Sequence, residues 1–335
     1  MYEKLWMNQG PAARLLLVLA LLVGLCACTG AGIWLAWSAA APESAEIEAA
    51  ATSTPLPEPT PLPTIPLTGT LTVHFCDVGQ GDAILLQGPD FTLLIDAGRH
   101  DRNDVLPYLR SVGVERLDLL VGTHPHADHI GQFPQVLEAL PVGEVWLSGD
   151  EHTSLTYERA LDAILASEAG YHEPRAGEVF LFGSARVEVL HPERLTGRLH
   201  DGSISLRIVF GEVAILLTGD AEASAESEMI ARGYPLRSQV FKLGHHGSST
   251  SNSAPFLAAV SPEVAIYSAG LGNSYGHPHA EVIERLGAAR IPVYGTDRYG
   301  AIRVITDGRQ IVIETERGRA DTLPGEGLAA GGQTR

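Results

Sequence analysis

The chain has 335 residues, 45% hydrophobic and 19% charged, a composition that excludes collagen-like, coiled-coil and wholly disordered proteins. Its formal net charge of −17 disfavours nonspecific coating of nucleic acid, because a polyanion would be repelled. Only three cysteines are present, which excludes a disulfide scaffold. The length predicts one large domain with an appendage.

The N-terminal part carries an uncharged apolar segment over residues 15–42. It is longer than the ~20 residues that a membrane-spanning helix needs. Lys4 and Arg14 precede the segment and acidic residues follow it, so the positive-inside rule predicts that the rest of the chain lies outside the cytoplasm. The predicted partner of residues 15–42 is therefore a lipid bilayer.

Three interpretations of this segment remain open. It is a single-pass anchor, a lipoprotein signal that presents Cys28 for lipid attachment, or a cleaved signal of a secreted protein. Residues 43–68 follow as a Pro-rich linker that favours an extended spacer. We expect a folded domain over 69–317 and a disordered Gly-rich tail over 318–335, after a cytoplasmic tip and membrane segment over 1–42.

Apolar runs and helix-period segments alternate through the predicted domain. Strands are predicted over 71–75, 83–86, 91–95, 117–121, 145–147, 187–190, 204–210, 213–217, 240–243 and 264–267. Helices are predicted over 105–111, 157–168, 223–232 and 280–288, with Asp101 and Ser253 as candidate caps. Asp307-Gly308 predicts a hairpin. The pattern favours an α+β fold of two packed sheets with outer helices.

A cluster of histidines directly follows the strand predicted over 117–121. His124, His126, Asp128 and His129 lie within six residues. Imidazole nitrogens and a carboxylate that converge on one point are typical ligands of zinc or a similar divalent ion. Alternate residues His124 and His126 share one direction, whereas Asp128 and His129 turn toward a neighbouring point. The spacing therefore predicts two metal ions.

Further candidate ligands follow two later strands. Asp220 comes after the strand over 213–217, and His245 and His246 come after the strand over 240–243. The ends of buried strands hold ligands rigidly. Asp220 is a candidate bridge between two ions, because a carboxylate has two oxygens and its charge offsets their repulsion. A common turn aspartate is the alternative for Asp220.

Five sequence blocks together resemble a known family. They are Phe75-Cys76-Asp77-Val78-Gly79-Gln80-Gly81-Asp82-Ala83, the block 124–129, Leu217-Thr218-Gly219-Asp220-Ala221, Lys242-Leu243-Gly244-His245-His246-Gly247-Ser248, and Ser274-Tyr275-Gly276-His277-Pro278-His279. From about residue 70 to 315 the chain resembles the metallo-β-lactamase fold, and within it the hydrolase domain of the ComEC-type DNA-internalisation (competence) proteins. The resemblance implies a four-layer αββα sandwich with its site at one edge between the sheets.

The resemblance also implies roles for the candidate ligands. His124 and His126 would hold one ion, Asp128 and His129 a second, and Asp220 would bridge them. His246, or alternatively His245, would complete the second ligand set. His200 is either a further ligand or an exposed histidine, since the family usually has an Asn-rich segment there. Asp96 would support the histidine block from behind, with a loop-entry aspartate as the alternative.

Other residues of these blocks are candidates for contact with substrate. Asp128 and His277 are the predicted catalytic residues, His277 as a general acid or as a hydrogen-bond donor to an oxyanion. Lys242, His279 and Ser248 are predicted to contact substrate, Lys242 by neutralising a phosphate. A lysine stem that extends to the surface and helix capping near Pro278 are the alternatives. Asp82 is interpreted as part of a Gly-rich turn.

The predicted function is a membrane-tethered, extracytoplasmic, metal-dependent hydrolase, in the form of a phosphodiesterase or nuclease-like enzyme. Two divalent ions, Zn²⁺ with Mn²⁺ as the alternative, would lower the pKa of a shared water toward ~7 and create the hydroxide nucleophile. DNA or another phosphodiester is the predicted substrate. The alternatives are a hydrolase of lactams, lactones or cell-envelope phosphoesters, and a non-catalytic, metal-stabilised binding module. No protein partner is predicted.

Overall fold

The computed structural model describes residues 69–318 and 320–323. Its strands are β1 (Leu71–Phe75), β2 (Ile84–Gln87), β3 (Thr92–Ile95), β4 (Leu117–Gly122), β5 (Val142–Leu147), β6 (Gly170–His172), β7 (Val179–Phe182), β8 (Ala185–His191), β9 (Ser205–Phe210), β10 (Val213–Leu217), β11 (Val240–Lys242), β12 (Val264–Tyr267), β13 (Val293–Gly295), β14 (Ile302–Thr306), β15 (Ile311–Thr315) and β16 (Ala320–Leu323). Its helices are α1 (Val105–Ser111), α2 (Phe133–Ala139), α3 (Leu155–Ala166), α4 (Ala223–Ala231), α5 (Ala254–Val260), α6 (Ala280–Ala288) and α7 (Thr296–Tyr299), with a 3₁₀ turn at Gly244–Gly247.

The strands form two sheets. The first has nine strands in the order β16-β15-β14-β1-β2-β3-β4-β5-β6, and the second has seven in the order β13-β12-β11-β10-β9-β8-β7. Strands β3 to β6 run parallel, as do β10 to β13, and the remaining neighbours are antiparallel. Loops at the carboxyl ends of neighbouring parallel strands meet at one edge of a sheet, where such folds bind ligands.

Three apolar cores hold the layers together. The largest contains side chains from both sheets, among them Val73 and Ile95 of the first and Ile208 and Ile215 of the second. A second core packs α1, α2 and α3 on the outer face of the first sheet, and a third packs α4, α5 and α6 on the second. The predicted α+β architecture of two packed sheets with outer helices is confirmed, in the layer order that the family resemblance implies.

Helix caps agree with the sequence at one of the two candidate positions. Ser253 precedes α5 and its hydroxyl accepts a hydrogen bond from the backbone N–H of Phe256 at 3.4 Å, as a helix cap does. The prediction for Asp101 is wrong. Asp104 holds the position before α1, and the carboxylate of Asp101 instead pairs with Arg99.

The prediction for the C-terminal tail is corrected in part. Residues 320–323 form β16, which pairs antiparallel with β15, so regular structure continues beyond 317. Without β16, β15 would be an edge strand with unpaired backbone N–H and C=O groups. Pairing with β16 satisfies these groups. The predicted membrane segment over 15–42, the linker over 43–68 and residues 324–335 lie outside the described residues. Within the described ranges, no helix has the length and apolar character needed to cross a membrane.

Candidate metal centre

The loop after β4 carries the histidine block and is held by Asp96, the residue that follows β3. Because β3 and β4 are parallel neighbours, Asp96 lies beside the start of this loop. Its carboxylate accepts hydrogen bonds from the backbone N–H and the hydroxyl of Thr123, at 2.8 and 2.9 Å. The same carboxylate lies 2.7 Å from Nδ1 of His129. Asp96 therefore ties both ends of the block together and turns Nε2 of His129 away from itself.

The Gly-rich turn before β2 packs directly on this loop. Gly81 has a φ of +135°, and a Cβ at this position would lie 2.4 Å from the carbonyl oxygen of Asp128. The backbone N–H of Asp82 donates to that same carbonyl at 3.2 Å. Only glycine permits this close approach, so the turn and the histidine block are packed as one unit.

Asp220 lies at the centre of the cluster, three residues after β10. Its Oδ2 is 3.6 Å from Nε2 of His124, 3.4 Å from Nε2 of His129 and 3.6 Å from Nε2 of His245. Its Oδ1 is 3.7 Å from Nε2 of His246. One buried carboxylate thus faces four imidazoles, two from each sheet.

The second sheet contributes a sharp turn after β11. His245 and His246 have φ values of +50° and +56°, in the left-handed region that non-glycine residues seldom adopt. The turn directs Nδ1 of His246 to the carbonyl oxygen of Ser268 at 3.1 Å. Its Nε2 then lies 3.4 Å from Oδ2 of Asp128. The strained backbone therefore directs both histidines toward the block on the first sheet.

The potential ligand atoms fall into overlapping groups, each with its atoms within 4.8 Å of one another. One group contains His124, His126 and His200, and another contains Asp128, His129 and His246. The ring centroids of His200 and His126 are 4.8 Å apart. The structure therefore brings His200 into the cluster, as the predicted alternative of a further ligand requires.

The buried carboxylates and two of the histidines shift one another's pKa. Burial alone would lower the pKa of His129 and His246, but neighbouring carboxylates, led by Asp220, raise the first well above its ordinary value and the second to about 9. Burial alone would raise the pKa of Asp220 and Asp128, but His129 and His246 hold both below the ordinary range. The cluster is therefore strongly ionised without a metal ion.

Two other imidazoles of the cluster, His124 and His126, are held neutral. Burial and the neighbouring His129 lower the pKa of His124 well below its ordinary value. Burial and His200 lower the pKa of His126 to about 4. Metal ions bind the neutral form of imidazole, so these two rings are ready to act as ligands at neutral pH.

The unpaired buried atoms of the cluster fit a metal site. Nε2 of His129, Nε2 of His246 and Oδ1 of Asp220 are buried and, among the described residues, make no hydrogen bond. Such atoms cost free energy unless something binds them. Nitrogen and carboxylate ligands with converging lone pairs suit Zn²⁺ and similar divalent ions. The residues present are therefore compatible with the predicted pair of ions.

A cavity of about 380 Å³ opens above the cluster. Besides the predicted ligands and His277 it is lined by residues for which the sequence predicts no role, among them Gln80, His152 and Tyr275. His152 lies 5.8 Å from His126 between ring centroids. His152 lies in none of the five blocks, so no sequence motif indicates it. Gln80 and Tyr275 lie inside two of the five blocks, and their position there is the only clue.

The structure corrects the predicted positions of Lys242 and Ser248. The side chain of Lys242 is 1% exposed, and its ammonium donates to Oδ2 of Asp82 at 2.9 Å. It therefore has no surface for a substrate phosphate and does not extend to solvent either. The hydroxyl of Ser248 is buried and lies 3.2 Å from the hydroxyl of Thr250, so it holds the turn rather than lining the cavity.

The last block forms a loop at the mouth of the cavity. Nδ1 of His277 lies 3.5 Å from Nε2 of Gln80, and burial together with His246 and His245 lowers the pKa of His277 to about 4. Its imidazole is neutral at neutral pH and can donate a hydrogen bond. His279 accepts a hydrogen bond at Nδ1 from the backbone N–H of Ser249 at 2.9 Å, so this ring joins two loops at the surface.

Comparison with known sequences places these features in a family. A sequence profile described as "Metallo-beta-lactamase superfamily" matches residues 76–270. The chain is 36% identical over 231 residues to "Competence protein ComA" of Neisseria gonorrhoeae, covering 68% of this chain and 31% of that protein. It is 30% identical over 251 residues to "ComE operon protein 3" of Bacillus subtilis, covering 69% and 32%. The chain thus spans about a third of the length of these relatives.

A solved structure shares the fold. The metallo-beta-lactamase fold protein YhfI from Bacillus subtilis matches with a TM-score of 0.50 and 13% identity, over 70% of this chain and 100% of that one. At this identity the likeness concerns the fold alone.

Proposed function

The chain belongs to the metallo-β-lactamase superfamily and is a metal-dependent hydrolase, and we propose that it is a membrane-tethered phosphodiesterase that acts outside the cytoplasm. The observation that carries the proposal is the arrangement around Asp220, whose carboxylate lies within 3.7 Å of four imidazoles. Loops from both sheets supply these side chains, and the cavity above them is open to a substrate.

The distances favour two ligand sets that share Asp220. His124, His126 and His200 make up the first set, in which His200 contributes the third imidazole. Asp128, His129 and His246 make up the second. His246 is preferred to His245 in this second set because its Nε2 lies 3.4 Å from Asp128. His245 then lines the cavity beside His200, with 4.4 Å between ring centroids.

When bound, a pair of divalent ions, with Zn²⁺ proposed and Mn²⁺ as the alternative, would supply an acidified water and would polarise a phosphoryl oxygen. The protein's own groups orient the ligands. Asp96 and the carbonyl of Ser268 hold Nδ1 of His129 and His246, so that each ring presents Nε2. The neutral imidazole of His277 is a candidate hydrogen-bond donor to charge that develops on the substrate.

The phosphodiester assignment draws on the similarity to the competence proteins. The match covers about a third of each of those proteins, and a phosphodiester as the substrate of this chain is part of the proposal. A site of buried carboxylates and imidazoles that binds two cations also offers a local positive field for a phosphate, in a chain whose overall net charge is −17. We propose an N-terminal anchor over residues 15–42 as the tether.

The overall acidic charge favours one alternative. A net charge of −17 repels a long polyanion, so a lactam, a lactone or a cell-envelope phosphoester is the second candidate substrate class for the same site. A substrate panel separates the two. The third candidate is a non-catalytic, metal-stabilised binding module. It would be recognised by metal-loaded protein that binds nucleic acid and hydrolyses neither phosphodiesters nor esters.

The deciding experiment measures metal content and hydrolysis in the same preparation. We expect bound divalent metal by elemental analysis and turnover of a generic phosphodiester with zinc or manganese. Chelation and Asp128→Ala should each abolish turnover, whereas Asp162→Ala, which removes an exposed carboxylate of α3, should not. Turnover that persists after chelation or in Asp128→Ala would eliminate the proposed mechanism.

A further inference from the structure

A second cleft adjoins the cavity above the histidine cluster. It has a volume of about 390 Å³ and lies between the Gly-rich turn after β1 and the loop after β12. Gln80 and Tyr275 line both the cleft and the cavity. The amide of Gln80 spans the boundary, since its Oε1 accepts from the backbone N–H of Gly270 at 3.3 Å and its Nε2 lies 3.5 Å from His277. The two spaces are therefore neighbouring parts of one groove.

Two arginines line one wall of this cleft. The side chains of Arg99 and Arg102 are 38% and 46% exposed. Arg99 and Tyr275 both line the cleft, so the guanidinium group and the aromatic ring share one space. Arg102 lies along the backbone of Gly79, where a Cβ would come within 3.1 Å of Nη1.

The charges around the cleft leave these arginines available to a ligand. Arg99 pairs with Asp101, and Arg102 pairs with Asp104, each two residues away. Exposed pairs of this kind contribute little free energy, so a phosphate group can compete with the two aspartates for the guanidinium groups. The one acidic residue of the cleft wall, Asp77, pairs with Arg317 at 3.1 Å. The wall is thus close to neutral in a chain with a net charge of −17.

The loop after β12 presents apolar surface to the same cleft. Tyr275 and Leu271 are 63% and 85% exposed, although both are large apolar side chains. The ring of Tyr275 stacks on His277 with an interplanar angle of 20° and 5.7 Å between centroids. Asn273 holds the loop, because its Oδ1 accepts from the backbone N–H groups of Tyr275 and His277 at 3.2 and 3.0 Å. The outer face of the Tyr275 ring is therefore a supported platform.

We propose that this cleft binds the nucleotide next to the scissile phosphodiester of a single-stranded nucleic acid. Arg99 and Arg102 contact its phosphate groups, and a base stacks on Tyr275 beside Leu271. Guanidinium groups beside an exposed aromatic ring are the combination that recognises single strands, whereas the base faces of a duplex are already covered by their neighbours. This inference rests on the proposed phosphodiesterase function and deepens it by naming the substrate class.

The test compares three substrates on the metal-loaded protein: a single-stranded oligonucleotide, the duplex of the same sequence, and bis(4-nitrophenyl) phosphate. The measured quantity is the ratio of kcat/KM for the oligonucleotide to kcat/KM for the small diester. Tyr275→Ala should lower this ratio about 5- to 150-fold, the effect of losing one stacked base, and Tyr275→Phe should restore it. Arg102→Ala should lower it too, and should reduce the slope of log KM against log salt by about 0.7.

Two surface variants serve as matched controls. Arg303, on β14, is 48% exposed and pairs with Glu314, much as Arg102 pairs with Asp104. Tyr171, on β6, is 49% exposed. Arg303→Ala and Tyr171→Ala should change none of the rates. They control for a general loss of surface charge or of an exposed ring.

The outcomes distinguish a failure of the cleft proposal from a failure of the proposed phosphodiesterase function. If the wild-type protein cuts the oligonucleotide and neither Tyr275→Ala nor Arg102→Ala lowers the ratio, the cleft proposal is overturned and the phosphodiesterase stands. If both variants lower cleavage of the duplex equally, the single-strand assignment is overturned. If the wild-type protein hydrolyses neither diester, the proposed function itself fails. In that case, binding of a phosphorothioate oligonucleotide still tests the cleft proposal, because Tyr275→Ala should lower the affinity for this oligonucleotide by the same factor.

Discussion

The ammonium of Lys242 and the carboxylate of Asp82 form a buried ion pair beneath the histidine cluster, with 2.9 Å between Nζ and Oδ2. The two side chains are 1% and 2% exposed. Oδ1 of Asp82 lies 3.7 Å from Nδ1 of His246. Burial alone would raise the pKa of Asp82, but Lys242 and His246 lower it below the ordinary range, so the carboxylate stays ionised. The pair joins the two sheets directly below the predicted metal site.

Lys242→Met should destabilise the protein by about 3–5 kcal/mol, because it leaves the charge of Asp82 buried without its partner. The double variant Lys242→Met/Asp82→Asn should lose less free energy than the two single variants added together, since no uncompensated charge remains. The free energy of unfolding in urea measures both, at a fixed metal concentration. The exposed pair of Arg303 and Glu314 is the control, and Arg303→Ala should cost at most about 1 kcal/mol. Strictly additive losses at Lys242 and Asp82 would show that the pair is not coupled.

Asp96→Asn should weaken metal binding about 10- to 100-fold, because the carboxylate that orients Nδ1 of His129 is replaced by a neutral amide. The backbone of Asp96 has a φ of +61°, and asparagine tolerates this conformation as well as aspartate does. Competition with a chromophoric chelator measures the affinity. Asp90→Asn is the control. The carboxylate of Asp90 accepts hydrogen bonds from the backbone N–H and the hydroxyl of Ser184, so this substitution should leave the affinity for metal unchanged. Equal affinities for wild type and Asp96→Asn would remove this role.

The sequence predicted the central part of the fold well, for a physical reason. Strands β10 and β12 are buried along their whole length, and they appear as continuous apolar runs. Edge strands were missed. β6 has only three residues, all partly or fully exposed, and β7 alternates between exposed and half-buried residues. The short helix α2 was also missed. It has a proline in its first turn, and its sequence shows no clear helical periodicity of apolar residues.

The site was predictable where its residues are neighbours in sequence, and less so where they meet through the fold. The spacing from His124 to His129 was enough to predict metal ligands, whereas His200 lies in an irregular loop and its approach to His126 depends on tertiary packing. Lys242 was predicted to face substrate because its partner Asp82 is 160 residues away and was interpreted only as part of a turn. A buried charge is assigned correctly only when its partner is known.

Metal binding should release protons, and the apparent affinity should rise as the pH is raised from 7 toward 9. His246 has a pKa raised to about 9 and His129 one raised well above its ordinary value, so both rings carry a proton at neutral pH before metal binds. A ligand imidazole must lose that proton, and each proton released makes the affinity about tenfold stronger per pH unit. Calorimetry in buffers of different ionisation enthalpy counts the protons. The His246→Ala variant should release about one proton fewer when metal binds. His172 lies on β6, and His172→Ala should not change the number of protons released.

His74 should make the protein less stable as the pH falls below 6.5. The ring is 3% exposed on β1, its Nδ1 lies 3.0 Å from the hydroxyl of Tyr108, and burial together with the charge of Arg303 lowers its pKa to about 4. The unfolded chain, with an ordinary pKa near 6.5, therefore binds a proton that the folded protein excludes between these values. The stability that the neutral ring preserves is complete above pH 6.5 and is lost as the pH falls toward 4, by about 3 kcal/mol in total.

His74→Gln tests this sign directly, because glutamine can keep a hydrogen bond to Tyr108 and does not titrate. The histidines of the metal cluster also titrate in this range, but they do so in both proteins, so the difference between wild type and variant isolates His74. We expect the two free energies of unfolding in urea to converge or cross as the pH is lowered from 7 to 4.5, with the wild-type protein losing more. Parallel curves over that range would mean that the His74 ring is protonated as readily in the folded protein as in the unfolded chain.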